Sequence, residues 1–155
     1  MIAVIAGLVF VGVVVVSIGY LGDRGWVRIG ATADLARARV VYVTNLHLFV
    51  VTNGSHPVAV ADRSPRAASR VLFCPTSGYF EDRSGSTFDR FGVFVSGPAS
   101  ASLARIGIRI RNASVDVNPD QRSPGPAVGS ATPARPWGAA CDPSAPEGPQ
   151  GFLQT

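Results

Sequence analysis

Runs of apolar and polar residues divide the chain into an apolar N-terminal segment, a series of short strands and an irregular tail. Residues 2–21 contain neither a charged residue nor a proline. A helix needs about 20 apolar residues to cross the hydrocarbon core of a bilayer. The pattern therefore predicts a transmembrane anchor over residues 1–22. A cleaved signal peptide is the alternative, but no basic region precedes the apolar run and no clear cleavage site ends it.

Short runs of β-branched and aromatic residues, separated by glycine and proline, follow the apolar segment. Such runs are typical of strands in an antiparallel β-sandwich or barrel. In 105–111 arginine and isoleucine alternate, which predicts a strand with one buried face. Residues 31–39 predict a helical turn or a loop, and Asn53-Gly54 a tight turn. The strands are predicted over 26–30, 40–51, 57–61, 71–73, 93–95, 105–111 and 113–117.

From residue 118 the composition shifts to proline, glycine, alanine and serine, and no periodic run remains. The chain is thus divided into an anchor (1–22), a β domain (23–117) and an extended Pro-rich tail (118–155). A few apolar side chains are spaced along this tail. It is either disordered or a strap that lies on a partner or on its own head. The exceptions to its polar composition are Trp137, Cys141, Phe152 and Leu153.

Composition narrows the classes of partner. The 155-residue chain has only 15% charged residues, a formal net charge of +4 and a pI near 9.8. All its basic residues are arginines, scattered along the chain rather than gathered on one predicted helix. This pattern does not favour a nucleic-acid partner.

Few residues can carry catalysis or hold a metal. The two histidines are His47, in a predicted strand, and His56, after a predicted turn, and neither has cysteine or carboxylate neighbours at metal-ligand spacing. A nucleophilic serine needs a base and a group that orients it. No such arrangement is indicated, so we expect no enzyme activity, no cofactor and no metal.

One stretch resembles a known family. Gly85-Ser86-Thr87-Phe88-Asp89 is followed by Gly92, and then by Gly97-Pro98-Ala99. This resembles the second cluster-binding half of Rieske iron–sulfur proteins, which has the form C-P-x-H-G-S-x-F-D-x-x-G followed by a G-P-A loop. The resemblance implies a Rieske-like antiparallel β-sandwich head over about 26–117, with Asp89 in a structural position.

The resemblance also locates the positions where the family has its cluster ligands. Ser64-Pro65-Arg66 is the nearest match to the first motif, C-x-H. The second motif matches either Cys74 to Gly78, with serine for histidine, or the stretch ending at Gly85-Ser86, with Glu81 at the cysteine position. Under either alignment at most one of four ligands remains. The degenerate ligand positions are Ser64, Arg66, Cys74, Ser77 and Ser84.

The two cysteines, Cys74 and Cys141, either remain unpaired or form one disulfide, which requires an oxidising compartment. A bridge would tie the tail to the head.

Two features of the sequence predict opposite sides of the membrane for the head. Arg24 and Arg28 follow the apolar segment, and by the positive-inside rule they favour a cytoplasmic head. The family resemblance implies an extracytoplasmic head, which is the expectation adopted here. The spacer of residues 22–25 is too short for a long tether.

The expected function is that of a cluster-less Rieske-like accessory subunit of a membrane electron-transfer complex, respiratory or photosynthetic. Its partners would be other subunits of the complex and the bilayer. Two alternatives remain open: an electron carrier with unorthodox ligands, and an independent membrane-anchored binding module of the periplasm.

Overall fold

The computed structural model describes residues 24–54 and 56–141, which form ten strands and one short helix. The prediction of a mainly β structure is confirmed. The elements are β1 (Val27–Ala31), α1 (Thr32–Ala38), β2 (Val40–Val43), β3 (Leu48–Asn53), β4 (His56–Ala61), β5 (Val71–Cys74), β6 (Tyr79–Asp82), β7 (Thr87–Phe88), β8 (Phe94–Ser96), β9 (Arg105–Arg111) and β10 (Ser114–Ser123).

The strands form two antiparallel sheets. The larger sheet has six strands in the order β1-β10-β9-β4-β3-β2, and the smaller has four in the order β5-β6-β7-β8. Most neighbours in the sheets are also neighbours in sequence, as expected for hairpin connections. The smaller sheet is inserted in the chain between β4 and β9, which pair with each other through Ala59 and Ile106.

Strands β2, β3 and β4 lie between two cores because alternate side chains point to opposite faces. On one face Val41 and Val50 pack with Ile106 and Val115 in an aliphatic core. On the other face Tyr42 and the neighbouring side chains enter an aromatic core shared with the smaller sheet. Since both faces are buried, β2 and β3 have continuous apolar sequences rather than alternating ones. The rings of the aromatic core are Tyr42, Phe49, Phe73, Phe80 and Phe88.

The prediction of one strand over 40–51 was wrong. β2 and β3 pair with each other, with Val43 opposite Leu48, and residues 44–47 form the turn between them. His47 lies in this turn with a φ of 53° rather than in a strand. The turn contains neither glycine nor proline, so the apolar runs on both sides of it read as one.

Four other elements depart from the pattern. β10 continues to Ser123, past the predicted end at residue 117, with an irregular register between Asn118 and Arg122. β6 and β7 have four and two residues and were not predicted. On β9, Ile106 is buried but Ile110 is 49% exposed, so the buried face is shorter than the alternation suggests.

The predicted anchor over 1–22 lies outside the described residues. Within 24–54 and 56–141, no helix combines the length and apolarity needed to span a membrane.

Candidate functional site

Three loops meet at one end of the smaller sheet. Loop 1 (62–70) joins β4 to β5, and loop 3 (97–99) follows β8. Loop 2 (82–86) starts at the last residue of β6 and leads into β7. Loops 1 and 2 carry three of the five degenerate ligand positions, Ser64, Arg66 and Ser84. The geometry of these loops therefore decides what the end of the sheet can hold.

Loop 1 is a compact hairpin closed at its base by a β-bridge between Arg63 and Arg70. Inside it, the Ser64 N–H donates to the Ser69 carbonyl at 2.8 Å. Ala67 and Ala68, at the tip, have φ values of 56° and 50°. Non-glycine residues rarely adopt this left-handed region, so the surrounding contacts must hold the loop in shape.

Asp82 connects loop 1 to loop 2. Its carboxylate oxygen Oδ1 accepts hydrogen bonds from the Ser84 N–H at 2.8 Å, the Ser84 hydroxyl at 2.7 Å and the Ser86 N–H at 2.9 Å. The side chain of Ser64, on loop 1, lies close enough to this carboxylate to help lower its pKa. Asp82 is 8% exposed and Ser64 2% exposed, so these contacts are largely screened from water. We call this group, Ser64, Asp82, Ser84 and Ser86, the Asp82 junction.

The junction stabilises the ionised carboxylate. Burial by itself raises the pKa of Asp82, but hydrogen bonds from the Ser64 and Ser84 side chains and from the Ser86 and Ser84 N–H groups outweigh it, and the pKa falls to about 2. The carboxylate is therefore charged at neutral pH, where it serves as an acceptor that joins two loops.

Loop 3 is attached to the other two loops. The Ala99 N–H donates to the Ser86 hydroxyl at 3.1 Å, and Arg66 donates from Nη1 to the Pro98 carbonyl at 3.3 Å. Gly97 has a φ of 103°, and a Cβ there would lie 2.4 Å from the Gly85 carbonyl oxygen. Glycine is therefore required where loop 3 crosses loop 2.

A second buried carboxylate lies at the base of loop 1. Asp62 accepts a hydrogen bond from the Tyr42 hydroxyl at 3.0 Å and lies 3.5 Å from Arg70 Nε and 3.6 Å from His47 Nδ1. Burial, and then the bond to Asp62, raise the pKa of Tyr42. Tyr42 therefore stays protonated at neutral pH and donates to the carboxylate.

Of the other two degenerate positions, Cys74 ends β5 and Ser77 lies in the β5–β6 turn, so neither is in loop 2. Ser77 is buried and its hydroxyl accepts from the Tyr79 N–H at 3.2 Å. Cys74 is joined to Cys141 by a disulfide. Of the two sequence alignments of the second motif, the one through Gly85-Ser86 places its residues at loop 2.

Residues 124–141, here called the strap, lie along the smaller sheet. The Trp137 N–H donates to the Ser77 carbonyl at 2.8 Å, and the Tyr79 hydroxyl donates to the Ala134 carbonyl at 2.8 Å. The Ala134 N–H donates at 2.6 Å to the buried carboxylate of Asp89. The described part of the tail thus packs on its own head, which was one of the two alternatives for this region.

Comparison with solved structures assigns the architecture. The crystal structure of the cyanobacterial plasma membrane Rieske protein PetC3 from Synechocystis PCC 6803 superposes with a TM-score of 0.50 and 23% identity, covering 59% of this chain and 97% of that one. The head has a Rieske-like fold. At this identity the likeness shows the fold and not the activity.

A second similar structure is the complex of reduced oxygenase and oxidized ferredoxin in carbazole 1,9a-dioxygenase. It has a TM-score of 0.46 and 18% identity, and covers 62% of this chain and 94% of that one. Comparisons with models of known protein families and with curated proteins find no match.

The side chains of the Rieske-like head do not fit an iron–sulfur cluster. Such clusters are held by thiolates, with imidazoles on one iron in Rieske centres. Loops 1 and 2 instead present hydroxyl, guanidinium and carboxylate groups, at Ser64, Arg66, Asp82 and Ser84. Across 24–54 and 56–141, no three His, Cys, Asp or Glu side chains are grouped so as to hold a metal ion.

Sequence reasoning missed Asp82. When the second motif is aligned through Gly85-Ser86, Asp82 falls at the position of the family's proline, beside Glu81 at the cysteine position. The sequence feature that could have revealed Asp82 was an acidic residue at the position where the family has a proline. Its role depends on the approach of Ser64 from a loop 18 residues away, which a local pattern does not show.

Proposed function

We propose that this chain is a cluster-less Rieske-like accessory subunit of a membrane electron-transfer complex, respiratory or photosynthetic. The observation that carries the proposal is the Asp82 junction. In the family pattern, the two ligand loops are joined through the metal cluster that they hold. Here Ser84 of loop 2 hydrogen-bonds to the Asp82 carboxylate, and Ser64 of loop 1 helps to lower the pKa of the same carboxylate. These polar contacts do the structural work of a cluster without any redox chemistry.

The disulfide supports the same proposal. Both cysteines of the chain, Cys74 and Cys141, are joined to each other, so neither offers a thiolate to iron. His56 begins β4 whereas loop 1 follows the end of that strand. Five strand steps of about 3.3 Å separate His56 from Ala61, so the two histidines and two cysteines do not converge on one place.

The location of the head is part of the proposal. A disulfide persists in an oxidising compartment, which favours the extracytoplasmic side over the cytoplasm. The apolar segment 2–21 would anchor the chain in the bilayer and contact the membrane subunits of the complex. With β1 beginning at Val27, few residues separate the segment from the head, so the head would be static.

The deciding experiment is iron and acid-labile sulfide analysis of the chain, first in the complex extracted gently from membranes and then separated from its partners. We expect iron in the complex and none in the separated chain, because the loops lack thiolate and imidazole donors. A genuine Rieske protein carried through the same steps controls for loss of a cluster during separation.

Two outcomes contradict different parts of the proposal. About two irons and two sulfides per separated chain, the content of a Rieske [2Fe–2S] centre, would make it a working carrier. If the chain is extracted alone under conditions that keep known membrane complexes intact, it is an independent membrane-anchored module and not a subunit.

A further inference from the structure

A row of charged side chains crosses the outer face of the larger sheet at β1, β10 and β9. Arg28 pairs with Asp116 in the strand register, and Asp116 pairs with Arg109. Arg111 lies two residues beyond Arg109 on the same strand and therefore on the same face. The opposite face of these strands packs into the aliphatic core, for example through Val115. The charged row is thus built on paired and well-packed backbone.

Asp116 gathers three arginines around one carboxylate. Its side chain is only 5% exposed, and its oxygens lie 3.2 Å from Arg109 Nε and 3.7 Å from Arg28 Nε. Arg111 Nη2 lies 3.8 Å from the same carboxylate. Each guanidinium stays charged, whereas one carboxylate compensates only one positive charge. Three guanidinium groups around one carboxylate therefore leave an excess of positive charge in the group.

Trp26 completes a cleft of about 340 Å³ together with these four side chains. The guanidinium carbon of Arg109 lies 4.2 Å from the centre of the Trp26 ring, a cation–π contact that positions both groups. Asp116 is the only acid among the described residues that line the cleft, and it is buried, whereas Arg28 and Arg111 are exposed. An entering group therefore meets guanidinium donors that are already gathered over their counter-ion, which suits an anion. Ordering that is complete before binding reduces the entropy lost on binding.

We infer that this cleft binds the phosphate group of an anionic phospholipid. Each guanidinium presents its donors in a planar fork, which matches the oxygens of a phosphate and binds two of them at once. The excess of positive charge favours a headgroup that has no amine of its own to compensate the phosphate. This inference rests on the anchored head of the proposed function and adds a specific lipid contact to it.

The position of the cleft along the chain favours a lipid over a soluble phosphate. The predicted anchor ends at residue 22, so Trp26 lies at most about 14 Å from that end, even along a fully extended chain. The headgroup layer is about 5–8 Å deep on each side of the hydrocarbon core. Tryptophan is enriched at this depth. The cleft that contains Trp26 is therefore within reach of the headgroups of the leaflet in which the anchor would end.

The test counts lipid adducts by native mass spectrometry of the full chain released from a non-ionic detergent. The probes are phosphatidylglycerol and phosphatidylcholine, which share a phosphodiester but differ in that only phosphatidylcholine carries a cation. We expect the wild-type chain to bind phosphatidylglycerol about tenfold more tightly than phosphatidylcholine.

The cleft variant is Arg28→Gln with Arg111→Gln, at two exposed side chains of the cleft. The matched control is Arg83→Gln with Arg122→Gln, which removes the same charge from exposed positions outside the cleft. Arg122 also donates one hydrogen bond to a backbone carbonyl. We expect the cleft variant to bind phosphatidylglycerol about tenfold more weakly than wild type, and the control less than about twofold more weakly.

A Lys pair, Arg28→Lys with Arg111→Lys, covers the case in which the Gln variant does not fold. It keeps the charge but loses the planar fork, so we expect phosphatidylglycerol binding to weaken by about threefold. Thermal unfolding and disulfide content identify which variants are folded.

Three results would overturn the inference. Equal binding of the two lipids by the wild-type chain would mean that the cleft does not select an anionic headgroup, and equal weakening in the cleft and control variants would mean diffuse surface charge. If inorganic phosphate displaces phosphatidylglycerol and binds as tightly as the lipid does, the cleft is a site for a soluble anion. Iron content and flotation of the chain with vesicles, measured on the same preparations, test the cluster-less proposal and the anchor separately, so each can fail without the other.

Discussion

The two halves of the head are held together by different means. The six-stranded sheet encloses a core that is entirely aliphatic, with Leu48, Val50 and Val115 fully buried. The four-stranded sheet has shorter strands and packs through aromatic rings centred on Phe80. Its loops depend on buried carboxylates, and its β5–β6 turn on a disulfide.

The difference shows where directional contacts become necessary. A long paired strand orders its neighbours through many backbone hydrogen bonds and apolar contacts. Strands of two to four residues, such as β7 and β6, supply few of either. The smaller half therefore relies on specific contacts at Asp82, Asp89 and Cys74, and it should respond sharply to single substitutions there.

The largest effect should come from the aromatic core. Phe80 is fully buried and packs against Phe49 at 4.8 Å and Phe73 at 5.1 Å between ring centroids. We expect Phe80→Ala to lower the free energy of unfolding by about 3–5 kcal/mol, measured by denaturant titration. Leu72→Ala, on the same sheet but 48% exposed, is the control and should cost no more than about 0.5 kcal/mol. Equal losses would mean that the ring packing is not what supports this half.

Removal of the disulfide should cause the second largest loss of stability. Cys74 and Cys141 are 67 residues apart in sequence, so the bridge restricts a long loop of the unfolded chain. We expect Cys74→Ala with Cys141→Ala to lower the free energy of unfolding by about 2–4 kcal/mol. Reduction of the wild-type protein should reproduce the loss, and adding reductant to the variant should change nothing. Unchanged stability of the variant would show that hydrogen bonds alone hold the strap.

The third effect depends on pH. The pKa of Asp82 is lowered from 3.8 to about 2, so its stabilisation is complete above about pH 4 and is lost as the pH falls through 2. The difference of nearly two units corresponds to about 2 kcal/mol. We expect Asp82→Asn to lower the free energy of unfolding by about this amount at pH 7, with the difference from wild type shrinking between pH 4 and pH 2.

Asp120→Asn, at an exposed acid, is the control for the Asp82 series and should show little loss at any pH. A constant difference between Asp82→Asn and wild type down to pH 2 would mean that the substitution acts through packing rather than through the charge.

The smallest effect concerns one hydrogen bond between sheet and strap. Tyr79→Phe removes the donor to the Ala134 carbonyl, and we expect a loss of about 0.5–1.5 kcal/mol. Ser130→Ala removes a bond that stays within the strap, to the Ala127 carbonyl, and serves as the control in hydrogen exchange. Faster exchange at the Trp137 amide in Tyr79→Phe, but not in Ser130→Ala, would assign the bond to strap docking; equal exchange in both would argue against it.

Much of the fold could be predicted because it follows from local patterns. The β-branched runs and the alternation over 105–111 each predict an element that the structure contains. The β2–β3 turn was missed because it has no glycine or proline, and because strands buried on both faces give one unbroken apolar run. β6 and β7 are too short for any periodicity.

The sequence predicted which loops form the candidate site, but not the contacts within it. The motif around Gly85 and Gly97 predicted which loops matter, since glycine is required where those loops cross. The contacts of Asp82 could not be predicted, because one of the groups that lower its pKa, Ser64, comes from loop 1.

The strap has a consequence for how the protein matures. Cys74 is synthesised 67 residues before its partner, so the hairpin that carries it has left the ribosome well before the bridge can close. Closure therefore marks the end of biogenesis, and a chain truncated before Cys141 would leave an unpaired thiol.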